Sequence, residues 1–72
     1  MLEGDVVQFN ENHKWRGSLG IIKEAKKLHD GIRYMVGVPI PQQGTAFIFV
    51  MDYEDSIEYI GKAILVTKDE ED

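Results

Sequence analysis

Apolar and polar residues alternate along most of the chain, and glycine and proline cut the alternation into short pieces. Residues 5–9, Asp-Val-Val-Gln-Phe, follow Gly4 and set Val7 and Phe9 on one face, as a half-buried strand requires. Residues 10–18 are polar and asparagine-rich and predict a loop. Residues 19–24, Leu-Gly-Ile-Ile-Lys-Glu, predict a second strand. The next residues, 24–28, are helix formers by propensity. The Asp30-Gly31 pair behind them is a hairpin signal, so the strand reading is preferred there over a short helix. Ile32, Tyr34, Val36 and Val38 then alternate against Arg33, Met35 and Gly37, the clearest strand in the chain.

Pro39 and Pro41 lack an amide donor, so residues 39–44 are expected to be a loop. Residues 45–51, Thr-Ala-Phe-Ile-Phe-Val-Met, are apolar almost throughout and predict a central or twice-covered strand. A polar break at residues 52–55 follows. Asp55 or Ser56 could cap one short turn through residues 57–60, stopped by Gly61, before a last strand at residues 63–66. Five short strands, one turn and glycine-punctuated loops predict an all-β fold, a small antiparallel barrel, closed or nearly so. Its expected core is Val7, Phe9, Ile22, Val36, Ile48 and Leu65.

At 72 residues the chain holds one domain, expected over residues 1–68. The four acids at residues 69–72 are expected to be a disordered, solvated tail. The net charge of −5 is unevenly placed: residues 1–36 hold six bases against five acids, and residues 37–72 hold two against eight. The only basic stretch runs from His13 to Arg33. The absence of cysteine excludes disulfides, cysteine-based zinc sites and thiol catalysis. No run of residues reaches the ~20 apolar positions of a membrane span, and residues 1–5 lack a signal-peptide pattern. A soluble, cytoplasmic domain is expected.

Gly4-Asp5-Val6-Val7-Gln8-Phe9, followed by Lys14-Trp15-Arg16-Gly17-Ser18-Leu19-Gly20-Ile21-Ile22, resembles the KOW motif of SH3-like barrels. Residues 55–65 resemble the short 3₁₀ turn and final strand that close such barrels. The resemblance implies a five-stranded SH3-like barrel with one 3₁₀ turn before the last strand. It also implies binding, since KOW domains commonly bind RNA or protein and other SH3-like barrels bind peptides. The chain lacks the stacked tyrosine pair of peptide-binding SH3 domains and the strongly basic balance of ribosomal KOW proteins. Independently of the resemblance, Gly17 and Gly20 suit a bend where a loop re-enters the sheet and backbones approach closely.

Trp15 between Lys14 and Arg16 is what a nucleic-acid surface or a protein hot spot offers, and equally what a lid over the core offers. Lys26, Lys27 and Arg33, with Lys23 and His29, line the proposed hairpin as a phosphate-binding rim or as lysines that deter edge pairing. His13 and His29 lack metal-site spacing. The acids Asp52, Glu54, Asp55 and Glu58 around Tyr53 read as a solvated loop and cap. There is no nucleophile elbow, phosphate loop or dinucleotide fingerprint. Strands 32–38 and 46–50 carry apolar groups on both faces, which calls for cover by the loop, the helical turn or a partner chain, a homodimer included.

The sequence thus predicts a non-enzymatic interaction module without cofactor or metal. Its expected task is protein binding as an accessory or regulatory protein, of the compact kind that prophage-type genes encode. RNA or DNA binding through Trp15 and the basic hairpin is the alternative. The expected binding residues are Trp15, Lys14, Arg16, Lys26, Lys27 and Arg33.

Overall fold

Each strand predicted ahead of residue 52 is present in the computed structural model, which describes residues 1–63. The elements are β1 (Asp5–Phe9), β2 (Leu19–Leu28), β3 (Gly31–Ile40), β4 (Gly44–Met51), a 3₁₀ turn (Asp52–Glu54) and β5 (Ile57–Lys62). All pairings are antiparallel, in the order β4-β3-β2-β1-β5. The helix-forming residues 24–28 lie in β2, because their partners in β3 hold them extended from Glu24 opposite Met35 to Leu28 opposite Gly31. Tertiary pairing overrides helix propensity here.

The core draws on all five strands: Val7 and Phe9 from β1, Ile22 from β2, Tyr34, Val36 and Val38 from β3, Val50 from β4 and Ile57 from β5. One cluster fed from both edges means that the sheet curls around it. The curl has identifiable causes. A bulge in β2 between Ile22 and Glu24 and another where β5 passes Val6 and Val7 each bend the sheet. Gly17 opens a third: its N–H donates to Phe9 O at 2.8 Å, Phe9 N–H donates to Ser18 O at 2.9 Å, and its φ is +89°. Two residues thus oppose one, with glycine in the left-handed position that such a bulge needs.

Several expectations are corrected. Among the described residues the sheet is open, with β4 and β5 as its two edges, so no closed barrel is seen. The apolar segment 45–51 is therefore an edge strand, not a central or twice-covered one. Residues 57–60 form strand, not a helical turn. Ile57 lies opposite Phe9, the β-branched and aromatic residues favour extension, and the 3₁₀ turn falls one step earlier, on Asp52–Glu54. Asp55, at φ 51°, ends that turn in the left-handed region that aspartate tolerates. Ala63 follows β5 and is not in a strand, and the rest of the predicted strand 63–66, core residue Leu65 and the acidic tail lie outside the described residues. Pro39 and Ile40 belong to β3. Ile48 is half-buried, since its edge strand has a neighbour on one side only.

The N-terminus is tied to β5 by Asp5. Its carboxylate accepts from Leu2 N–H at 2.8 Å and from Lys62 Nζ at 3.1 Å, and its side chain is buried. The Leu2 amide, then the Lys62 ammonium, hold the Asp5 carboxyl below its ordinary pKa, and the Asp5 carboxylate in turn raises that of Lys62. A depressed carboxyl pKa gives stability that is full above the unfolded value, about 3.9, and lost as pH falls through the folded one. Asp5→Asn should therefore lower the melting temperature at pH 7 and weaken its fall below about pH 4. Parallel melts at pH 7 and in acid check this, and an unchanged acid limb would contradict it.

Candidate functional site

Main-chain direction alternates along a strand, so one bond fixes the rest. Ser18 accepts from Phe9, which aims residues 18 and 20 at β1 and residues 19 and 21 at β3. Ile21 lies opposite Gly37, so Gly37 aims at β2 and Val36 at β4. Ile48, opposite Val36, aims at β3. The main-chain groups of Thr45, Phe47, Phe49 and Met51 therefore face outward along the open edge. The same register explains Pro39. Its missing N–H faces β2 beyond Ile21–Gly37, where the β2–β3 ladder has ended, so no bond is lost.

Residues opposite one another on neighbouring strands share a face. Tyr34, Val36, Val38, Ala46, Ile48 and Val50 occupy the core face, and Met35, Arg33, Phe47, Phe49 and Met51 the other. On that outer face Phe47 is 56% exposed and Phe49 53%. The Arg33 guanidinium stacks over the Phe49 ring, 4.7 Å from its centre, a contact worth ~0.5–1 kcal/mol at an exposed site. Lys26 lies opposite Arg33, and the Lys23 stem runs past Gly37 beside Thr45. The outer face thus combines an apolar aromatic strip, a main-chain edge unpaired among the described residues and a rim of three cations.

The expected binding residues do not form one patch. Lys26, Lys27 and Arg33 sit near the β2–β3 hairpin, and Arg33 alone of the six contacts the aromatic strip. Lys14, Trp15 and Arg16 are in the loop before β2. From Leu19 to Lys26 the strand rises ~23 Å at 3.3 Å per residue, so the two groups are far apart. Trp15 is half-buried and packs against the core, and its backbone N–H donates to His13 Nδ1 at 3.0 Å. The loop is also anchored from outside: Asn10 and Asn12 both donate to Asp55 O, at 2.9 and 3.0 Å. Lys14 and Arg16 are exposed on it. Trp15→Ala should thus lower stability by about 1–3 kcal/mol, below the full cost of a buried tryptophan. A chemical denaturation curve measures this, and an unchanged midpoint would contradict the packing role.

The aromatic strip was visible in the sequence only as excess apolarity on both faces of strands 32–38 and 46–50. Position at an edge is a property of strand order, which local pattern does not carry. Among the described residues no helix is long and apolar enough to cross a membrane. No protein-family model, curated protein or solved structure matches the chain. Its own residues are therefore the basis for reading its function.

Proposed function

We propose that this chain is a non-enzymatic, SH3-like binding module that takes a protein partner at β4, in an accessory or regulatory role. One observation carries the reading: a strand with the composition of a central strand stands at an edge, its outward groups unpaired among the described residues. Sheet edges are normally guarded by charge, proline or a bulge. β5 has such guards in Glu58, Lys62 and its bulged pairing with β1. β4 has no charged residue, no proline and an unbroken register with β3. Strand addition uses these two features together, main-chain bonds for affinity and alternate side chains, here Phe47 and Phe49, for specificity. The five-strand order and the 3₁₀ turn ahead of β5 support the SH3-like reading, and the Gly17 bulge suits the KOW-like first hairpin.

Exposed phenylalanines beside Arg33, Lys26 and Lys23 also favour a second reading, a platform on which single-stranded RNA or DNA stacks. The net charge of −5 opposes a polyanion. Retrieval of partners by the tagged protein from its native host, with and without nuclease, separates the two. Capture should survive nuclease and salt and be lost in Phe47→Lys. Nuclease-sensitive capture with a steep salt dependence would replace protein by nucleic acid. Capture unchanged by Phe47→Lys would move the site away from β4.

A further inference from the structure

The outward edge of β4 is complementary to itself. We propose that β4 pairs antiparallel with β4 of a second copy, about a two-fold axis at Ile48; this rests on the reading of β4 as the binding edge. In that register Phe47 lies opposite the partner's Phe49, Ala46 opposite the partner's Val50 and Thr45 opposite the partner's Met51. Each outward-facing residue meets an outward-facing one, so Phe47 and the partner's Phe49 exchange both main-chain bonds. Ile48, whose groups are committed to β3, meets its own counterpart at the non-bonded position on the axis. The sequence Phe-Ile-Phe reads the same in both directions, and this gives a two-fold interface matched aromatic pairs on both sides of the axis.

Charge agrees with this occupant. Residues 44–51 carry none, so two copies of a chain of net charge −5 meet along a neutral strand rather than through their acidic segments. Arg33 over Phe49 places one cation beside each aromatic pair. The interface is small: two phenylalanines about half exposed contribute ~200 Å² of ring surface per copy, against ~800 Å² per partner in a standard stable interface. The pair is therefore reversible and concentration-dependent.

Sedimentation over a wide concentration range tests the pairing. The wild type should shift from 8.2 kDa towards twice that mass as concentration rises. Phe47→Lys and Phe49→Glu, each checked for a native circular dichroism spectrum and melt, should each weaken self-association by at least about tenfold. Mixed together, they should associate again. In the mixed pair Phe47→Lys on one copy faces Phe49→Glu on the other across one side of the axis, while the native phenylalanines pair across the other side. A wild type that stays monomeric, or a mixture that does not associate, overturns the pairing. A monomer that still loses its host partner on Phe47→Lys overturns the pairing alone and leaves the binding module standing. Self-association and host capture that both survive Phe47→Lys overturn both.

Discussion

Ile22→Ala is expected to unfold much of the protein. Ile22 is fully buried in β2, opposite Val36, and its carbonyl accepts from Gly4 N–H at 2.8 Å. It stands beside the bulge that bends the sheet, where β1, β2 and β3 side chains meet. Truncating a buried isoleucine costs about 2–5 kcal/mol. A single core in a chain of this size supplies ~3–5 kcal/mol in total, so the loss is comparable to the whole stability. Ile60→Ala is the matched control, because Ile60 is 54% exposed and should cost much less. Urea or thermal denaturation of the three proteins reads the difference. A wild-type-like curve for Ile22→Ala would contradict the sheet register.

Gly20→Ala should come next in severity, through excess rather than missing volume. A Cβ at Gly20 would stand 2.5 Å from Val36 Cγ1, 3.0 Å from Gly37 O and 3.2 Å from Val38 Cγ2. Val36 and Val38 are buried and β-branched, with little rotamer freedom, and the third neighbour is backbone. None of these neighbours can yield without moving the β2–β3 ladder. Overpacking of this kind costs about 1–3 kcal/mol. The Gly20→Ala melting temperature should therefore fall well below that of the wild type, and an unchanged one would show that β2 and β3 approach less closely than described here.

Where the fold was legible, the physics was local. Alternation at residues 5–9 and 32–38 reports a buried face directly, and Val7, Phe9, Ile22 and Val36 are all core residues. Asp30-Gly31 ends the β2–β3 turn, and Gly17 and Gly20 play the bend and close-approach roles their spacing indicates. Where reading failed, a distant partner decides. Gly61 ends a helical turn or sits in a strand equally well until β1 pairs alongside it. Pro39 breaks a strand only where its amide would meet a paired neighbour, and the β2–β3 ladder ends at Ile21–Gly37, before it. Trp15 flanked by cations looks alike on a binding loop and on a core lid, and only packing distinguishes the two.

The candidate site shows the same division. Apolarity on both faces of residues 46–50 is plain in the sequence, and it calls for cover. Which side lacks it depends on strand order, which places β4 at the edge. The basic residues were legible as a set but not as a place, because β2 carries Lys26 far from the loop of Lys14 and Arg16.

Amide hydrogen exchange along β4, resolved by residue and followed with concentration, tests the open binding edge most directly. In dilute protein Ala46, Ile48 and Val50, bonded to β3, should exchange slowly, and Thr45, Phe47, Phe49 and Met51 should exchange fast. At high concentration the second set should become protected while the first barely changes. Protection of Phe47 and Phe49 in dilute protein would contradict an edge open to another strand, and fast exchange of both at every concentration would contradict the β4–β4 pairing.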